Sequence, residues 1–298
     1  MTLVFSWVRN SSPDVREMVM ASDSRLSGGG ARWDCCPKIL SLPRSDAVLA
    51  FAGITDIAYP AMLQVQRAVE ASPAVTSRRY DITQLADIVE NVLNQMLDIR
   101  VVDRALLESA HLEKSATMFI LGGWSWRYQQ FQIWKYVFSR KERRYVRSKR
   151  EPYREDQPSV QLQIGGDVTG EALREFNLLR ARLGLTMDDP LDMEPFEVLR
   201  DMIRSRKYPT VGGAPQVVKV YRHMNADFFG VIWRSEPRGE AAATYGGRPL
   251  LDYEKQLFPL IDADSPSDHA RAKALAQAKR TKRRSGVPTQ ARHDESQH

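Results

Sequence analysis

The sequence predicts an α+β protein in four layers, helices over sheet over sheet over helices (αββα), with two mainly antiparallel sheets. Two observations lead there. The predicted elements run strands, two helices, strands, two helices, strands. Runs of strands separated by helix pairs fit two sheets between helical layers better than a doubly wound parallel sheet, which needs single β–α alternation. The chain is also large enough, at 298 residues with 43% hydrophobic content, to bury one substantial core or two smaller ones.

In chain order, residues 3–8 and 15–23 are apolar runs separated by Ser11-Ser-Pro-Asp14, which reads as a hairpin. A loop with Gly28-Gly-Gly30 follows. Then Lys38-Ile-Leu-Ser-Leu and Ala47–Gly53 form a second strand pair around Pro43-Arg-Ser-Asp46. A helix is expected from about Thr55 to Ala71, with Ile57, Met62, Leu63, Val65 and Val69 on one face. Residues 82–98 give a second amphipathic helix, its apolar set running from Leu85 to Leu97, with Asp81 or Thr83 as N-cap. Strands resume at 116–124 and 130–138. The basic stretch 140–150, with one interleaved tyrosine, reads as a solvated hairpin tip before a phosphate track. Residues 160–166 form another strand, 169–183 and 194–206 two helices around the Pro190 linker, and 215–223 and 227–233 the last strands. Beyond Arg234 periodicity is lost, and no internal repeat is evident.

Composition narrows the function. There is no 18-residue apolar run, so no transmembrane helix is expected. The start lacks a basic n-region and a small-residue cleavage site, which argues against a signal peptide. The only cysteines, Cys35 and Cys36, are neighbours and read as reduced thiols of a cytoplasmic protein. The histidines, at 111, 223, 269, 293 and 298, do not pair with them at ligand spacing, so neither metal nor cofactor is expected. The net charge is +6, but residues 266–298 carry eight Lys/Arg against three Asp/Glu, which is +5 of it. That tail reads as disordered, with a frayed helix over 268–280, and as the only segment suited to non-specific nucleic-acid binding.

The most informative chemistry lies at the start. Thr2 follows Met1, and a small residue there permits removal of the methionine. The mature chain would begin with a hydroxyl and an α-amine on one residue, a nucleophile and a base whose ordinary pKa is about 7.7–8.0. Asp23, Lys38 and Gly53 follow, fifteen residues from Asp23 to Lys38 and fifteen more to Gly53.

These residues, with Ala21-Ser-Asp-Ser-Arg25, Ala50-Phe-Ala-Gly53, Ile120-Leu-Gly-Gly-Trp124, Ile164-Gly-Gly166 and Val211-Gly-Gly213, resemble proteasome β-subunits and their bacterial relatives among the N-terminal-nucleophile hydrolases. The resemblance covers residues 2–233 in the family's order, with a longer first hairpin. It leaves 234–265 as a C-terminal extension of unknown role and 266–298 as the basic tail. It implies a threonine peptidase in which Thr2 Oγ attacks a carbonyl and the amine takes its proton. Lys38 would favour the alkoxide, Asp23 would hold Lys38, and the Gly53 N–H would donate to the oxyanion. Ser27 would pair its backbone with an extended peptide, and Phe51 and Thr55 would line the first specificity pocket.

Two departures are visible. Many active members carry Gly-Ser-Gly where this chain has Gly165-Gly166-Asp167. They also carry Asp and Ser before the later Gly-Gly, where Tyr208-Pro-Thr-Val-Gly212 stands. Gly166, Asp167 and Thr210 are therefore the candidate supporting residues. The resemblance further implies a peptide or unfolded-protein substrate, a homo-oligomer such as a ring, and an unfoldase or regulator as partner. Two other functions fit the same residues: an amidase for a small amide, and an inactive assembly scaffold.

Overall fold

The computed structural model describes residues 2–12, 15–28, 31–99, 117–148, 161–186, 188–237, 239–254 and 257–267. The expected tail with its frayed helix, the ends of the 116–124 and 160–166 strands, and the last two residues of the basic stretch lie outside these. Residues 1–266 form one compact unit.

The molecule is a mixed α/β structure with mainly antiparallel sheets. One sheet of eight strands contains β1 (Leu3–Ser12), β2 (Val15–Ser22), β10 (Leu162–Gly166), β11 (Gln216–Tyr221), β12 (Ala226–Trp233), β13 (Ala242–Tyr245), β14 (Arg248–Pro249) and β15 (Leu260–Asp262). Its path is β10-β1-β2-β11-β12-β13-β14, with β15 added parallel to β12. A second sheet runs in chain order through β5 (Ile39–Leu42), β6 (Arg44–Ala52), β7 (Met118–Ser125), β8 (Gln130–Ser139) and β9 (Arg144–Arg147). A small hairpin of β3 (Leu26–Gly28) and β4 (Ala31–Trp33) stands apart from both. The helices are α1 (Thr55–Glu70), the single turn α2 (Pro73–Thr76), α3 (Ile82–Ile99), α4 (Thr169–Arg182) and α5 (Glu194–Ser205).

Side-chain alternation explains why the central strands read as continuous apolar runs. Along β1, Leu3, Phe5 and Trp7 join a cluster with Phe176 of α4 and Phe196 of α5. Val4, between them, joins Met18, Met20, Val218, Val48, Ala50 and Ile120, a cluster shared by both large sheets. Along β6, Val48, Ala50 and Ala52 share that inter-sheet cluster, whereas Ala47, Leu49 and Phe51 pack with Met62 and Val65 of α1 and Leu85 and Val89 of α3. A period of two with both faces buried leaves no polar alternation to see.

Helix α3 starts where its sequence predicts. The Asp81 carboxylate accepts from the Thr83 N–H at 3.0 Å, and the Gln84 side chain accepts from the Asp81 N–H at 3.0 Å, a reciprocal cap. Asp81 is therefore the cap and Thr83 lies inside the helix. On α1, Leu63 is 57% exposed and does not belong to the packed face; the buried set is Ala58, Ala61, Met62, Val65 and Val69.

Further differences are local. β1 runs on to Ser12, past the expected end at Val8. Gly28, expected in a loop, ends β3 and pairs with Ala31 of β4, while residues 29–30 lie outside the described ones. The basic stretch does form a hairpin, and two of its cations are matched: Arg147 meets Asp87 and Glu90 of α3 at 2.6 Å each, and Arg144 meets Glu90 at 3.5 Å. Past Arg234, where no pattern was expected, β13, β14 and β15 extend the first sheet. At two to four residues each they are too short to show a period.

Candidate active site

The start of β1, the end of β2 and the start of β5 meet around one buried carboxylate. Asp23, just past β2, is 0% exposed, as are Thr2 and Lys38. Lys38 Nζ donates to Asp23 Oδ1 at 2.8 Å, so the ion pair joins the first large sheet to the second. The Leu3 N–H donates to the same oxygen at 3.0 Å. The N–H groups of Arg25 and Gly212 donate to Oδ2, at 3.1 and 3.0 Å. Four donors converge on one carboxylate, which compensates for taking both charges out of water. Burial pushes the Lys38 ammonium below its ordinary pKa of 10.5, while the charge and hydrogen bond of Asp23 act the other way.

Thr2 immediately precedes Leu3, whose N–H reaches Asp23, and so lies at the same strand ends. Its carbonyl accepts from the Asp167 N–H at 3.3 Å. Among the described residues its buried hydroxyl has no hydrogen-bond partner, although buried hydroxyls nearly always find one. Gly166 closes that side: its φ of +129° suits glycine alone, and a Cβ there would overlap the Thr2 carbonyl. Burial raises the carboxyl of Asp167. Positive charge at the chain start, a hydrogen bond with Thr210 and the charge of Lys38 oppose that, while Asp23 adds to it. Gly166, Asp167 and Thr210 are thus all drawn to the same place.

Gly53 follows the end of β6, with φ of +125°, which likewise admits little but glycine. It is tied to Lys38 through the strand, since the Phe51 N–H donates to the Lys38 carbonyl at 3.2 Å. The next residue is fixed by the Ile54 N–H donating to the buried Thr117 hydroxyl at 3.0 Å. Ser27 is exposed on β3, opposite Arg32. Thr55 is half-buried at the first turn of α1.

Phe51 departs from expectation. It is 0% exposed and packs edge-on against Tyr59 at 5.2 Å within the helix-side core, so it does not face an open pocket. The alternation that sends Ala50 and Ala52 between the sheets sends Phe51 toward α1.

Sequence reasoning missed the residue that frames the pair. Gln216, at the head of β11, accepts from the Lys38 N–H at 3.0 Å and donates to the carbonyls of Asp23 at 3.2 Å and Cys36 at 2.8 Å. A lone amide opening an apolar strand was its one signal. Ser22 was also missed; its hydroxyl donates to the carbonyls of Leu3 and Asp23. Both cysteines are free thiols. Among the described residues, no three His, Cys, Asp or Glu side chains gather to hold a metal, and no helix is long and apolar enough to cross a membrane.

No protein-family model matches the chain, and no curated protein sequence matches it. Among solved structures it is similar to a Gly-1 mutant of Anbu from Hyphomicrobium sp. strain MC1, at 13% identity and a TM-score of 0.49, covering 98% of this chain and 100% of that one. A likeness at that level decides nothing about chemistry, and the site rests on its own geometry.

Proposed function

We propose that the protein is a threonine-type peptidase of the N-terminal-nucleophile kind, resembling proteasome β-subunits, with Thr2 as nucleophile and an αββα sandwich as scaffold. The observation that carries this reading is the buried Thr2 hydroxyl without a partner, beside a fully buried Lys38–Asp23 pair. Removal of what precedes Thr2 frees its α-amine. The amine takes the Oγ proton as Oγ attacks the substrate carbonyl, and the Lys38 ammonium stabilises the developing alkoxide. The Gly53 N–H donates to the oxyanion. Collapse expels the substrate amine, which leaves with the proton held by the Thr2 amine, and an acyl ester remains on Oγ. A water activated by the same amine then hydrolyses the ester. Asp167 and Thr210 take the supporting position where the family has serines. Ser27 holds the peptide along β3, and Thr55 contributes to the first pocket.

Intact mass spectrometry with a peptide epoxyketone tests this, because that warhead needs a hydroxyl and a free amine on one residue. A chain beginning at Thr2 that gains the adduct is expected. A chain retaining Met1 overturns the mechanism. A chain starting at Thr2 that never reacts favours an amidase or a scaffold instead. Cytoplasmic location and a homo-oligomeric ring belong to the same proposal, and native mass measurement checks the assembly.

A further inference from the structure

A cavity of about 590 Å³ opens beside the site and is lined by Arg25, Arg32, Arg206, Asp34, Trp233 and Thr244. It is the size of an ordinary ligand pocket. Its link to the catalytic centre is short. Gly212 and Arg25 both line it, and both donate backbone N–H groups to Asp23. Part of its wall comes from β12 and β13, so the C-terminal strands help to enclose it.

Its charge is one-sided. Three arginines face a single carboxylate, and Asp34 is already held by Arg25 through two hydrogen bonds of 2.6 and 2.7 Å. That pair is structural, because Arg25 also reaches the carbonyls of Pro209 and Val211. Arg206 meets only the exposed Glu236, at 3.1 Å, with both side chains about 70% exposed; such a pair is worth little. Among the described residues Arg32 forms no ion pair, and it is exposed. Arg32, whose charge reaches Asp34 without forming an ion pair, and Arg206, held by one exposed pair, are the cations open to a ligand.

Register says which ligand. Arg32 lies directly across from Ser27 in the β3–β4 hairpin, and residues opposite one another direct their side chains to the same face. We propose that this cavity is a subsite for an acidic side chain, Glu or Asp, of an extended peptide laid along β3. The assignment rests on the peptidase reading for its orientation. Arg32 and Arg206 select the carboxylate, and the C-terminal strands supply the far wall.

The test separates the two ideas. The Thr2→Ala protein is titrated at low salt with a fluorescent extended peptide carrying Glu at alternate positions, and with its Gln counterpart. The Glu peptide is expected to bind about tenfold more tightly, the worth of two partly exposed charge pairs. The preference is expected to shrink with Arg32→Gln and Arg206→Gln, and at 1 M salt. Equal binding of the two peptides overturns the subsite, as does a Glu preference that neither substitution changes. A preference that follows a free C-terminal carboxylate, lost on amidation, overturns the side-chain assignment. Turnover of both peptides by the wild-type protein decides the other question. Acidic preference in binding without any hydrolysis overturns the peptidase and leaves the subsite standing.

Discussion

Strands β1, β2 and β11 carry a buried charge cluster toward each end, and the two clusters do different things. At one end Glu17 takes Arg9 at 2.7 Å and Lys219 at 3.1 Å on one oxygen, and Arg9 also meets Asp192 at 2.6 Å. Arg9 and Glu17 are direct cross-strand partners, so this network stitches neighbouring strands. At the other end Lys38 comes from the second sheet to reach Asp23, and three backbone N–H groups join it there. Burial is alike: Arg9, Glu17 and Lys219 are 4, 5 and 7% exposed, and Asp23 and Lys38 are 0%. Buried charge alone therefore does not mark a reactive site. What marks the Asp23 end is the cross-sheet Lys38 contact together with the adjoining Thr2, whose buried hydroxyl, like that of Ser6 further along β1, has no partner among the described residues.

The largest expected effect tests that hydroxyl. Thr2→Ala is expected to lower peptide turnover by on the order of 10⁴-fold or more, as loss of a nucleophile does. It breaks no side-chain hydrogen bond, so the stability change should stay near ~1 kcal/mol, the cost of a small buried group. Turnover assays beside chemical denaturation check both halves. An unchanged rate would remove Thr2 from the mechanism and make the two clusters equivalent.

Paired substitutions sharpen the contrast. Asp23→Asn and Glu17→Gln each leave buried cations without their counter-charge, and each is expected to cost about 3 kcal/mol in denaturant titrations. Only Asp23→Asn should also cut turnover per folded molecule, by roughly 10²–10³-fold, the scale set by losing one electrostatic contact in a transition state. Equal effects on turnover would show that the rate follows general loosening of the sheet.

The pH profile gives a smaller but more specific signature. The Thr2 amine must be neutral to take the Oγ proton, so kcat/KM should rise as pH passes its ordinary range of about 7.7–8.0. Lys38 must be charged, and burial lowers its pKa from 10.5, so the alkaline limb should fall below that ordinary value. A limb at or above 10.5 would place the working charge elsewhere.

Much of this was legible in the residues. The period of α3 and the choice of Asp81 or Thr83 as its cap gave that helix to within a residue or so, because caps and helical faces are local properties. The order Thr2, Asp23, Lys38 was visible, and the structure brings these residues together at strand ends. Non-local partners were not legible. The amide of Gln216 lies 178 residues from the Lys38 N–H it accepts from, and no spacing rule reaches that far. Phe51 was assigned to a pocket by resemblance, although parity along β6, with Ala47, Leu49 and Phe51 on one face, points it into the helix-side core. The short strands gain their order from pairing, β13 and β15 on β12 and β14 on β13, not from any pattern of their own.

Those strands hold a third ion pair, which calibrates the other two. Arg248 of β14 donates to both oxygens of Glu254, at 2.8 and 2.5 Å, and the Leu251 N–H adds a bond at 2.8 Å. These contacts, led by Arg248, lower the Glu254 carboxyl from 4.5 to about 2. A carboxylate whose folded pKa is depressed adds stability that is complete above its unfolded value and is lost as pH falls through the folded one. Glu254→Gln should therefore lower the denaturant midpoint by a constant amount above pH 4.5, and the gap from wild type should close as pH falls from 4.5 toward 2. Turnover at neutral pH should not change, since Glu254 touches neither Asp23 nor Lys38. A gap independent of pH would mean that Glu254 acts through packing, whereas a loss of turnover would mean that the C-terminal strands set the geometry of the Asp23 end.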